Sequence, residues 1–172
     1  MNKQTTPKST TTHIAALCVI LAAFCLPVAQ LQAQGRGGPP TPVNFNLTLS
    51  GFCSFDILAQ GTGKAGVISL PDGGFIFTAP ATFVTMTNLS DTTKSVTLSF
   101  TSTEEQSPVQ NGTITQTFRG RSGLAFGPTA PNPNTFFLLI GTWTIVIDAN
   151  TGQVLQGPTG NGQMINMCDL LE

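Results

Sequence analysis

Tyrosine is absent from this chain, and its single histidine stands at position 13, inside an apolar leader. Charge is scarce as well. Asp, Glu, Lys and Arg together make up 9% of the residues, too few to assemble the broad basic surface that releases counterions from a nucleic acid. The same scarcity, set beside a 40% hydrophobic content, excludes the polar, highly charged composition of a disordered chain. Beyond residue 33 no stretch carries apolar residues at i, i+3, i+4 and i+7, so no substantial helix is expected. What fills the space instead is Val, Ile, Leu, Phe and Thr in short runs separated by Gly, Pro and Asn, the composition of strands joined by turns.

The first segment reads as an export signal. Lys3 and Lys8 precede an apolar run from Ile14 to Ala29, and Leu31-Gln32-Ala33 offers a small residue before a cut. The run is shorter than the ~20 residues of a membrane-spanning helix, and Pro27 interrupts its end. Residues 1–33 are therefore expected to be removed, with no membrane span afterwards, leaving a Gly/Pro-rich leader over 34–42 and one domain over 43–172. Counted from the sequence, the mature part keeps five cations (Arg36, Lys64, Lys94, Arg119 and Arg121) against all eight acids, a formal charge of −3.

The domain is organised around Phe136 to Asp148, FFLLIGTWTIVID. Its first half is apolar on both faces, which predicts a strand covered from both sides. Its second half alternates Trp143, Ile145 and Ile147 with Thr142, Thr144 and Val146, the period of a half-buried strand. Gly141, between the halves, marks a bulge or a close backbone approach. Alternation also predicts strands over Val43–Ser50, Cys53–Leu58, Gly66–Leu70, Phe75–Phe77, Thr82–Asn88, Ser95–Thr101 and Thr113–Phe118. Gln60–Gly63 reads as a turn, and Pro71-Asp72-Gly73-Gly74 as a hairpin turn. The class is all-β: an antiparallel sandwich of about eight or nine strands, with a small barrel as the alternative.

Cys18 and Cys25 leave with the signal, so only Cys53 and Cys168 remain. In an exported chain an isolated pair forms a disulfide, and this one places the second strand beside the C-terminal segment.

Without histidine, tyrosine or a free thiol in the mature chain, the Ser-His-Asp, Cys-His and His-metal arrangements are all excluded, and no metal or cofactor is expected. Carboxylates remain. A glycosidase needs only two, suitably separated, and Asp56, Asp148 and Asp169 are the candidates, although Asp148-Ala149-Asn150-Thr151-Gly152 reads more simply as a turn. Glu104 and Glu105 read as solvated loop residues. Arg119 and Arg121 in FRGRSG are candidates for gripping an anionic group, against the plainer reading of charges guarding an edge strand. Trp143 reads as core rather than as a sugar-stacking platform. The Thr/Ser faces of several strands suit adsorption to a polysaccharide or to ice, and equally an ordinary wet strand face. Asn46, Asn88 and Asn111 head glycosylation-acceptor tripeptides.

Taken in order, Cys53, Leu70-Pro71-Asp72-Gly73-Gly74, Thr87-Asn88-Leu89, Lys94-Ser95-Val96-Thr97-Leu98, Gly141-Thr142-Trp143-Thr144-Ile145 and Cys168-Asp169-Leu170-Leu171 give a pattern that resembles a group of small, uncharacterised secreted bacterial proteins of actinobacterial type. The resemblance implies a β-rich secreted domain with a terminal cysteine pair and carries no activity with it. The expected function is a non-catalytic binding or surface-interaction domain whose partner is an extracellular polysaccharide or a surface protein. A carboxylate-dependent glycan hydrolase and a structural envelope or matrix protein stand as the alternatives.

Overall fold

The computed structural model describes residues 37–127 and 134–172; the expected signal segment lies outside them. Among the described residues nine strands follow one another: β1 (Thr41–Leu49), β2 (Ile57–Ser69), β3 (Phe75–Ala79), β4 (Phe83–Asn88), β5 (Ser95–Ser99), β6 (Ser102–Gln106), β7 (Thr113–Phe126), β8 (Thr135–Asp148) and β9 (Val154–Asn166). A single helical turn, α1 (Met167–Leu170), ends the chain, with the Asn166 side chain accepting a hydrogen bond from the Cys168 backbone N–H. Every pairing is antiparallel, in the order β5-β4-β2-β3-β6-β7-β8-β9, with β1 also on β2.

The all-β antiparallel class is thus as expected, and the layers arise from one open sheet. β2 makes the transition. Its residues Ile57–Thr62 pair with β4, while Gly66–Ser69 pair with β3. A first layer of β1, β4, β5 and the start of β2 therefore passes into a second layer of β3, β6, β7, β8, β9 and the end of β2. The hairpin between β2 and β3 turns at Pro71–Gly74, where the Gly74 N–H donates to Asp72 Oδ1 at 3.0 Å.

Two clusters form most of the core. In one, Leu49, Ile57, Val84 and Met86 of the first layer meet Phe136 and Leu138 of β8, with Met167 and Leu171 closing the end. In the other, Phe118, Leu124, Phe126, Leu139, Ile145, Ile147 and Val154 come entirely from β7–β9. β8 supplies Phe136 and Leu138 to one cluster and Leu139, with Phe137, to the other, so its first half is covered on both faces, as its composition predicts.

The second cluster gathers residues from both sides of a line of glycines. Gly120 pairs with Gly141, and Gly141 with Gly162; their φ angles are +100°, +119° and +144°, a region open to glycine and strained for other residues. A methyl group at Gly141 would overlap the Asn161 carbonyl oxygen. The two arms of the long strands on either side of this line contribute to one core cluster. The close approach expected at Gly141 is the opposing backbone of β9.

Three local readings need correction, and one strand was not expected. Gln60–Gly63 is not a turn: β2 runs through it, because a side chain at Gly61 would collide with the Phe45 ring and one at Gly63 with Thr82, which is fully buried. Glycine there serves close packing. Cys53–Phe55 is a bend, and the second strand starts at Ile57. Glu104 and Glu105 lie on β6 rather than in a loop. β9, with Gly157, Gly160, Gly162 and Pro158, shows no apolar alternation and escapes a pattern reading; it is held by its pairing with β8.

The Cys53–Cys168 bridge is present, with the Cα atoms 5.4 Å apart and a sequence separation of 115. It fastens the β1–β2 connection to α1. Beside it, the Asn88 Nδ2 donates to the Leu171 carbonyl at 3.1 Å.

Candidate functional site

Antiparallel register places the outward side chains of the first layer in rows. Asn44, Thr62, Phe83 and Ser99 form one; Asn46, Gln60, Thr85 and Thr97 the next; Thr48, Leu58, Thr87 and Ser95 the third. Neighbouring strands lie about 4.8 Å apart and alternate residues about 6.8 Å along a strand, so twelve side chains make a regular grid four strands wide. None is charged. Hydroxyl groups lock across the β4–β5 pair, Thr85 to Thr97 at 2.8 Å and Thr87 to Ser95 at 2.9 Å. Phe83 stands in this polar field with 53% of its surface exposed, at the side of a shallow groove lined also by Asn44, Gln60, Thr62, Thr85 and Thr97. An exposed aromatic ring flanked by amides and hydroxyls can stack on an apolar ring face while its neighbours exchange hydrogen bonds with the rim.

The acids and arginines singled out by sequence do not assemble in this way. Asp56 is exposed just before β2, where its carbonyl accepts from the Leu89 N–H at 2.9 Å. Asp169 receives a hydrogen bond from Asn166 Nδ2 at 2.9 Å. Both belong to the disulfide end. Asp148 closes the other end of β8, opposite Thr113, and its carboxylate accepts the N–H groups of Asn150 and Thr151, each at 2.8 Å. The bond from Thr151, followed by that from Asn150, holds this carboxyl below its ordinary range, which suits a turn cap and not a proton donor.

Arg119 and Arg121 both lie on β7, separated by Gly120 in its positive-φ conformation. Arg119 pairs with Glu105 at 2.8 Å, both side chains being about half exposed. Arg121 Nε is buried without a hydrogen-bond partner. Asn88, one of the glycosylation candidates, is 5% exposed, and its Oδ1 accepts from the Ser90 and Asp91 N–H groups. Trp143 is half-buried at the margin of the β7–β9 cluster, with Nε1 donating to the Ile140 carbonyl at 3.2 Å. It is a packing residue, less enclosed than its alternation with Ile145 and Ile147 suggests.

One residue expected to be solvated lies inside. Glu104 sits between Phe77 and Phe118 on adjacent strands, is 7% exposed, and has no partner at Oε1. Burial raises its pKa to about 7. Ser122 is equally buried, with its Oγ also unpartnered. Ser102-Thr103-Glu104-Glu105-Gln106 contains no apolar residue, so nothing in its own pattern distinguishes the inward glutamate from the outward one.

Among the described residues no three His, Cys, Asp or Glu side chains lie together in a way that holds a metal ion. No family profile, curated protein or solved structure matches the chain, so the site stands on its own geometry.

Proposed function

We propose that the protein is a secreted, non-catalytic domain that binds a neutral polysaccharide through the outer face of its first layer. The observation that carries this reading is the uncharged twelve-residue grid with the half-exposed Phe83 set into it. Phe83 stacks on the apolar face of a sugar ring. Gln60, Asn44 and Asn46 supply amide donors and acceptors, and the threonines supply hydroxyls already fixed by their cross-strand bonds. A disulfide-bonded domain suits export. A hydrolase has less support, because Asp148 is committed to its turn and the groove beside Phe83 contains no carboxyl group. A structural role in an envelope or matrix would use the same face.

The test is retention on insoluble cellulose, chitin, xylan and peptidoglycan, with Phe83→Ala and Gln60→Ala beside the parent. Retention on at least one neutral polymer is expected, persisting in high salt because no charges take part. Phe83→Ala should weaken it by about tenfold, corresponding to ~1.4 kcal/mol. Absence of retention on every polymer, its abolition by salt, or indifference to Phe83→Ala would each defeat the proposal, and release of soluble sugars would replace it with the hydrolase.

A further inference from the structure

We propose that the cavity between the two layers is a second binding site, for a small uncharged molecule with an apolar body and one hydroxyl group. The cavity has a volume of about 60 Å³. Its walls are mostly hydrocarbon, among them Leu47 of β1, Ala59 of β2, Met86 of β4 and Phe136 of β8, while Glu104 and Ser122 also line it. Both are more than nine-tenths buried, and Glu104 Oε1 and Ser122 Oγ lack partners. Buried polar atoms nearly always find a partner, and two orphans on the wall of one apolar cavity mark where a ligand's polar end belongs.

A hydroxyl group fits this pair because it donates one hydrogen bond and accepts others. It donates to Glu104 Oε1 and accepts from the Ser122 hydroxyl. A carboxylate would meet no cation, since no Lys or Arg lines the cavity. An ammonium would have to give up its hydration beside a carboxyl group that burial already keeps from ionising readily. Water brings the right head but no body. The space exceeds the roughly 10 to 15 Å³ of one water, and further waters would face hydrocarbon instead of the two to four polar partners that each needs. An apolar cavity of about 150 Å³ accommodates the six carbons of benzene, so the volume here corresponds to about two or three heavy atoms, an alcohol of one or two carbons.

The experiment is methyl NMR on protein with 13C-labelled methionine methyls, titrated with methanol and ethanol. Methylammonium, formate and xenon serve as charged and purely apolar controls. Met86 lines the cavity, and Met164, 36% exposed on β9, reports on the surface. The alcohols should shift the Met86 methyl saturably and leave Met164 unmoved. Ser122→Ala should weaken binding about threefold to tenfold, the range of one neutral hydrogen bond, and Ala59→Leu should abolish it by filling the space. A linear response, equal shifts at Met164, saturation by xenon but not by alcohols, or an affinity unchanged in Ser122→Ala would overturn the assignment.

Discussion

The first layer and the β7–β9 part of the second bury their apolar residues by opposite means. In the first, strict alternation sends Leu49, Ile57, Ala59, Val84 and Met86 inward and the neutral grid outward. In the second layer the first half of β8 is apolar on both faces and feeds a different cluster from each, and residues of β7 and β8 from both sides of the glycine line gather in one cluster. Alternation leaves one face free for a partner. Double coverage leaves none free, and the edge strand β9 keeps its polar surface outside. A sheet that does both acquires a double-covered centre, the first half of β8, and an outer surface whose chemistry is not constrained by packing.

The comparison is broken most directly at the bridge. Cys53→Ser with Cys168→Ser should cost roughly 4 to 5 kcal/mol in the chain-entropy picture, read by urea denaturation. A loss below about 1 kcal/mol would mean that packing of Met167 and Leu171 alone fastens the two regions.

The line of glycines comes next. Gly141→Ala should destabilise by roughly 3 kcal/mol or more, adding backbone strain of ~1 to 3 kcal/mol to overlap with the opposing backbone. Gly51→Ala, at a positive φ but with open space around it, should cost less. Equal losses would show that strain alone matters and that the line of glycines is not a close-packed corner.

Glu104 tests what lies between the layers. Its pKa of about 7 in the fold against 4.5 otherwise means that the folded protein holds this proton more tightly than the unfolded chain. Stability should be highest below about pH 4.5 and fall as pH rises to about 7, by roughly 3 kcal/mol. In Glu104→Gln that part of the pH dependence should vanish. A parent whose stability rises over the same window would contradict the burial of this side chain.

Trp143→Ala should cost about 2 kcal/mol, below the ~3 to 5 of a fully enclosed large aromatic, with fluorescence only partly quenched by iodide. Phe83→Ala should change stability by less than about 0.5 kcal/mol, as befits the unconstrained face. A larger loss there would move Phe83 from the surface chemistry into the packing.

Where a strand has one wet and one dry face, its pattern is legible: β1, β4, β5 and the second half of β8 follow directly from alternation, and the disulfide from an isolated cysteine pair. The rest depends on neighbours. Gly61 and Gly63 look like a turn until Phe45 and Thr82 are seen to occupy the space above them. β6 looks like a loop because its inward residue is a glutamate, and β9 because its glycines are required by β8 and not by a turn. The grid was visible only as threonine and serine content along single strands; the register that aligns four strands is a property of the sheet, and so is the position of Phe83 within it.

The bridge has one more consequence, for persistence in a protease-rich environment. Because it joins Cys53 to Cys168, the span from one to the other is a covalent ring. A single peptide-bond cut anywhere within that span opens the ring without releasing a fragment. The two pieces stay tethered, with the cut ends held near each other by the surrounding ladder, and would separate on a gel only after reduction.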